Sequence, residues 1–217
     1  MTSILKVDRI ESRTPDGTIT FGSQIDPDGF SSNYRPGEII EVVSSQCDGS
    51  TVVATSGSYT FTDVNNTIYP SGRSLSDSYQ TLAESSITYT PPAGTTRVIY
   101  EFDFSWSNTN TTNPHNILHT RFQIDGTDVV FAQKTMSSNN HNHMSVIWRR
   151  VIPITGTDNM DNGTVATWTT AKTLSLRMRN YGSTNANRLY ASQYWDGAGS
   201  SWANNFCQPS LSITALA

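Results

Sequence analysis

The chain has 217 residues, 35% hydrophobic and 15% charged, with 14 Lys and Arg against 18 Asp and Glu for a formal net charge of −4. Both fractions lie below the roughly 45–50% and 25% usual for globular domains; Ser, Thr and Asn, 74 residues together, make up the difference, and Lys occurs three times against eleven Arg. No apolar run approaches the ~20 residues of a membrane helix, no basic stripe offers itself to nucleic acid, strong helix formers are too scarce for a helix bundle, and 22 aromatic residues argue against disorder.

In chain order, residues 4–10 alternate in polarity, Thr14-Pro15-Asp16-Gly17 is a turn signal, and residues 18–21 form a second short run. Together they read as a small β-hairpin. The start has no basic stretch followed by a long apolar run, so no secretory signal is expected. Residues 22–36 are punctuated by Gly and Pro and read as a linker. A lone hairpin of this size is unstable in water, so it must pair with something. The expected division is an attachment and oligomerisation hairpin with its linker, 1–36, and a main domain, 37–217.

From residue 38 onward, period-two segments recur between turn clusters: 38–43, 59–61, 86–90, 97–104, 118–124, 129–131, 144–154, 173–179, 188–195 and 209–216. The clearest is 97–104, with Val98, Tyr100, Phe102 and Phe104 on one face and Arg97, Glu101 and Asp103 on the other. Leu118, Thr120, Phe122 and Ile124 share a face before an Asp125-Gly126 turn. Nine or ten short strands without a convincing helix imply a sandwich or barrel. Three long stretches, 106–116, 135–143 and 195–205, are rich in Asn and Ser and read as loops, where function usually sits. The first and third carry tryptophans that read as exposed. Cys47 and Cys207 have no metal or redox spacing. They read as two independent buried thiols, with one disulfide as the alternative.

Four segments resemble fibre-like virion proteins of tailed phages, marine phages especially. Ile4-Leu5-Lys6-Val7-Asp8-Arg9-Ile10 is similar to their opening strand, and Pro36-Gly37-Glu38-Ile39-Ile40-Glu41-Val42-Val43 to the entry strand of their body. Ile87-Thr88-Tyr89-Thr90-Pro91-Pro92-Ala93-Gly94-Thr95-Thr96-Arg97-Val98-Ile99 resembles one of their hairpins, and Leu211-Ser212-Ile213 their last strand. The resemblance implies an all-β, jelly-roll-like antiparallel β-sandwich head on a short N-terminal β-hairpin attachment segment. It also implies a homotrimer displayed on a virion that is assembled in the host cytoplasm. The chain departs from the pattern in having no long shaft, which favours a short tail fibre, spike or surface decoration. Ile4, Leu5, Val7, Ile10, Ile19 and Phe21 would then form the attachment to other virion proteins by adding a strand to a partner's sheet.

Few constellations could carry chemistry. His141 and His143 form an H-x-H pair whose imidazoles share a face if the segment is extended. On a trimer axis, six such nitrogens would suit an octahedral transition metal; a solvated loop is the plainer reading, and no other cofactor is expected. His115 and His119 have helical spacing in a segment that reads as strand. Glu101 and Asp103 lie in i, i+2 relation beside Arg97, which suits a solvated or intersubunit face better than a glycosidase pair. Asp158-Asn159-Met160-Asp161-Asn162-Gly163 resembles a calcium loop in composition but lacks the closing Glu. It therefore reads as turn chemistry. Nucleophile motifs are absent from the sequence, and no enzyme is expected. Trp106, Tyr194, Trp195, Asp196, Trp202 and Asn204 mix flat aromatic faces with hydrogen-bonding groups in the way sugar sites do; burial in the sandwich or a subunit interface is the alternative. The expected function is host-surface recognition, of a glycan or protein, or particle stabilisation, without nucleic acid or membrane insertion. A lectin-like carbohydrate-binding module is the second reading and a small depolymerase a distant third.

Overall fold

In the computed structural model, residues 34–65, 68, 72–108, 115–139, 144–183, 187–190 and 206–217 are described, without the side chains of 108, 115, 116, 138 and 139. The chain divides into two units, Met1–Arg35 and Pro36–Ala217. The hairpin residues Ile4, Leu5, Val7, Ile10, Ile19 and Phe21 lie outside the described residues.

Fourteen strands are found among the described residues. They are β1 (Ile39–Gln46), β2 (Thr51–Ala54), β3 (Gly57–Thr60), β4 (Arg73–Ser74), β5 (Gln80–Thr81), β6 (Ile87–Tyr89), β7 (Arg97–Asn108), β8 (His115–Ile124), β9 (Thr127–Asp128), β10 (Lys134–Asn139), β11 (Met144–Pro153), β12 (Lys172–Asn180), β13 (Asn187–Leu189) and β14 (Ser210–Leu216). Two short 3₁₀ turns, Ala83–Ser85 and Val130–Ala132, interrupt them. The first sheet runs β1–β14–β7–β11, with β13 continuing the line of β14 along β7 and β4 outside β13. The second runs β10–β8–β12, with β6 and β5 one after the other along the far edge of β12 and β9 continuing the line of β10. All these pairings are antiparallel.

Taking β1, β6, β7, β8, β10, β11, β12 and β14 as positions one to eight, the sheets order as 1-8-3-6 and 2-7-4-5. First pairs with last, and the chain crosses between sheets at most connections. This is the wrap of a jelly roll, as expected from the sequence. Period-two alternation aims the apolar faces inward: Val98, Tyr100, Phe102 and Phe104 of β7 are buried against Leu118, Phe122 and Ile124 of β8 and Leu174, Leu176 and Met178 of β12. The Tyr100 and Phe122 rings sit 5.0 Å apart across the sheets, and Phe122 stacks on Trp148 of β11 at 5.2 Å. The Trp148 indole N–H donates to Thr120 Oγ1 at 3.2 Å, joining the sheets through their core. Burying rings of this size contributes roughly 1.5–3 kcal/mol each.

Several expectations need correcting. Residues 135–139 are strand β10, not loop: their Ser, Thr and Asn look loop-like, but β8 pairs with them, and among the described side chains of 135–137 Met136 is the one that turns inward. Conversely, 129–131 are not a strand. Asp125 (φ 50°) and Gly126 (φ 78°) form a two-residue turn with both residues left-handed, so β9 folds back on β8 for two residues only. The Val129 N–H then closes on Phe122 O at 2.8 Å and the chain enters a 3₁₀ turn. The hairpin β2–β3 was legible only in its second strand. It is tethered at its tip by the buried Glu41 carboxylate, which accepts from the Ser56 N–H at 2.9 Å, the Ser56 hydroxyl and the Tyr89 hydroxyl at 2.8 Å. Trp106 is not an exposed loop residue. It continues the inward face of β7 and is 0% exposed, because β7 runs four residues beyond its expected end. Cys47 and Cys207 are both free; Cys47 is buried and Cys207 exposed. In the Asp158–Gly163 segment, Asp158 Oδ1 accepts the Ala166 N–H and Asn159 Oδ1 the Asn162 N–H, which is turn chemistry.

Candidate functional site at one end of the sandwich

Strand register decides which connections meet. His115 pairs with Asn139, Met144 and Leu189 both pair with Trp106, Asn187 pairs with Asn108, and Asn180 with Leu118. The roots of the segments 109–114, 140–143, 184–186 and 191–205 therefore lie at one end of the fold. The turns at Gly94 and Asp125-Gly126 lie at the other. The candidates His141 and His143, and Tyr194, Trp195, Asp196, Trp202 and Asn204, belong to these segments and lie outside the described residues. What the structure defines is the platform from which their segments depart.

That platform is built from buried polar groups. Tyr190, the last described residue before 191–205, is fully buried yet has φ 63°. A bulky aromatic in the left-handed region carries strain of about 1–3 kcal/mol. It is held by its hydroxyl, which donates to Glu84 Oε1 at 2.5 Å, and by its ring, packed edge-on against Phe102 and Phe206. The Cys207 N–H donates to Tyr190 O at 2.8 Å, so one backbone hydrogen bond brings together the two sides of 191–205. Glu84 sits in the 3₁₀ turn Ala83–Ser85. Arg73 of β4 grips it: Nη2 donates to Oε2 at 2.9 Å and Nε lies 2.8 Å from Oε1. The Glu84 side chain is 0% exposed and that of Arg73 27%. The Cys47 thiol donates to Glu84 O at 3.3 Å. Burial, with smaller contributions from the Glu84 and Asp48 charges, pushes that thiol up to about 12. Burial also pushes the Tyr190 phenol well above its usual range, reinforced by Glu84.

A second buried pin joins Asn180 and Asn187, on either side of 184–186. Asn187 Nδ2 donates to Asn180 Oδ1 at 2.8 Å and to Ile117 O at 2.9 Å, while Asn180 Nδ2 donates to Leu75 O at 2.6 Å. Paired polar groups of this kind fix a unique geometry, since an unpaired one would cost about 1–3 kcal/mol. Neither pin was legible beforehand: Arg73 and Glu84 have no periodic relation, and neither Asn belongs to a motif.

Of the six residues read as a sugar site, only Trp106 is described, and its ring is buried in the core. Glu101 and Asp103 stand on the outer face of β7, where Arg149 Nε lies 3.4 Å from Glu101 Oε1. With Ile147, Ser210 and Ser212 they line an open depression of about 190 Å³. His119 points out from the second sheet, its Nδ1 3.0 Å from Thr135 Oγ1. Among the described residues no three His, Cys, Asp or Glu side chains gather as metal ligands would. At the opposite end a groove of about 410 Å³, lined by Pro91, Pro92, Ile154, Ala166 and Trp168 among others, contains no titratable side chain.

No protein-family model and no curated protein matches this chain. Solved structures of infectious bursal disease virus show weak similarity. A chain of the T13 viral particle aligns at 13% identity and a TM-score of 0.32, over 91% of this chain and 35% of that one. A chain of the Gt strain aligns at 12% identity and a TM-score of 0.28, over 92% of this chain and 42% of that one. The present chain thus spans well under half the length of either. Similarity at this level assigns no function.

Proposed function

We propose that the protein is a virion structural component, a short fibre, spike or surface decoration of a phage. Its N-terminal hairpin attaches it to other virion proteins, and its jelly-roll head presents one end to the host surface. The observation that carries this reading is the shared end of the fold from which 109–114, 140–143 and 191–205 depart, on a platform locked by Tyr190, Glu84 and Arg73. Recognition residues usually sit on loops held by a rigid scaffold. The sequence resemblance at residues 4–10, 36–43 and 87–99 supports the virion setting and a homotrimer, in which weak contacts add by multivalency.

The test is binding of the full-length protein to host cells and to a glycan array, alongside Trp195→Ala and Trp202→Ala. Loss of cell binding with unchanged thermal stability supports recognition by this end. Unchanged binding in both variants refutes it. Solution mass with and without chelator tests the trimer and the His141/His143 metal together, and a micromolar monomer refutes the first. Deletion of residues 1–36 is expected to abolish incorporation into particles; normal incorporation overturns the attachment role. The second reading, a lectin-like module outside any virion, is favoured if the head binds a defined glycan through Trp195 and Trp202 while no particle contains it.

A further inference from the structure

The outer face of the second sheet holds a concentration of positive charge that neither the loop-bearing end nor the core explains. In the β8–β12 register, Arg121 stands directly opposite Arg177, and His119 opposite Arg179. Like charges directly opposite each other on one sheet face repel. Here three guanidiniums crowd a single ring: the Cζ atoms of Arg121, Arg179 and Arg177 lie 4.1, 5.1 and 5.7 Å from the centroid of Tyr79. The ring's negative face offsets part of the repulsion. Among the described residues one carboxylate answers them. Asp128 Oδ2 accepts from Arg121 Nη1 at 2.8 Å, and Asp128 Oδ1 lies 3.9 Å from Arg177 Nη1. Asp128 Oδ1 is already taken by Gln123 Nε2 at 2.8 Å. Arg179 spends Nη1 on the carbonyls of Asp77, Asn180 and Tyr181 and has no carboxylate of the described residues within ion-pair distance. Three cations therefore face one anion, on a chain whose overall charge is −4. The Nε atoms of Arg121 and Arg177 and Nε2 of His119 are buried and have no hydrogen-bond partner among the described residues, so the forks offer a ligand their outer Nη atoms. The Arg121 and Arg177 side chains are 32% and 31% exposed, so a ligand can reach them.

We infer that this cluster is a binding site for an oxyanion, the phosphate, sulfate or carboxylate group of an acidic polysaccharide. Guanidinium forks match the geometry of such groups and can hold them with two parallel hydrogen bonds. The ring of Tyr79 keeps the forks stacked and pre-ordered, which reduces the side-chain entropy lost on binding. Thr135 beside His119 adds a neutral hydrogen-bonding group on the same face. The site lies on the outer face of β8 and β12.

The experiment is calorimetric titration of the full-length protein with inorganic phosphate, inorganic sulfate, polygalacturonate, dextran sulfate and uncharged dextran. Arg177→Gln and Arg179→Gln are each expected to weaken binding of a charged polymer about tenfold, in keeping with the strength of charge-assisted hydrogen bonds. Asp128→Asn is expected to tighten it, because it removes the anion that competes for Arg121 and Arg177. Preference for sulfate over galacturonate, or the reverse, identifies the group recognised; both support the site. Absence of binding to any charged probe overturns the inference. So does binding that survives both arginine changes in variants whose thermal unfolding is unaltered. Binding of a 20-base-pair DNA duplex in preference to either acidic polysaccharide overturns it as well.

Discussion

The most informative perturbation is removal of Arg73, because it leaves a carboxylate stranded under the platform. Glu84 has 0% side-chain exposure and its charge is held by two contacts from Arg73, at 2.8 and 2.9 Å, and one from the Tyr190 hydroxyl at 2.5 Å. In Arg73→Met the aliphatic bulk remains, but a buried anion keeps only the phenol. Breaking a buried pair from one side costs about 3–5 kcal/mol. For a domain of this size that corresponds to a fall in Tm of about 10 °C. Glu84→Gln leaves the cation instead; its head is 27% exposed and can turn to water, so the loss should be smaller, about 1–3 kcal/mol. The double variant Arg73→Met/Glu84→Gln removes both charges and should be more stable than Arg73→Met alone. Chemical denaturation of the four proteins closes the double-mutant cycle. An Arg73→Met protein within about 1 kcal/mol of wild type would behave like an exposed ion pair and refute the reasoning. So would a double variant less stable than both single ones.

Other consequences are simpler to check. The native protein should show one thiol reactive towards a disulfide reagent at pH 8, the exposed Cys207, and a second only after unfolding, since burial holds Cys47 protonated up to about 12; two fast thiols in the native state contradict this. Thr120→Val leaves the Trp148 N–H unpaired between the sheets and should cost about 1–3 kcal/mol on chemical denaturation; a neutral effect means the bond carries nothing. Burial, then Arg179 and Arg121, hold His119 below the usual value of 6.5. The unfolded chain therefore takes up this proton first as pH falls, so this contribution to stability is intact above pH 6.5 and is lost below it. His119→Gln should flatten the stability profile below that point relative to wild type, and an unchanged slope refutes the assignment.

Local pattern was a sound guide wherever a strand buries one face. Residues 97–104 alternate cleanly, and both their strand state and the inward set Val98, Tyr100, Phe102 and Phe104 followed from period two alone. Asp125-Gly126 announced its turn, because only a residue pair tolerant of left-handed angles closes so short a connection. The jelly-roll class followed from strand number, turn spacing and resemblance. Where side chains say little, tertiary pairing decided. β10 is polar at most positions and became a strand because β8 offered it backbone partners. Trp106, which looked like a ligand-binding ring among Ser and Asn, is core because the pleat of β7 continues through it.

Composition and alternation determined that this chain would be a low-charge antiparallel sandwich, since those properties depend on neighbours along the chain. Which strands lie side by side, and so which loops share an end, depends on register between segments up to 177 residues apart, such as Ile39 and Leu216. The same holds for the pairing of Arg73 with Glu84 and of both with Tyr190, and for the gathering of Arg121, Arg177 and Arg179 around Tyr79. A charge's partner is set by three-dimensional proximity and burial, and neither is written in the spacing of the sequence.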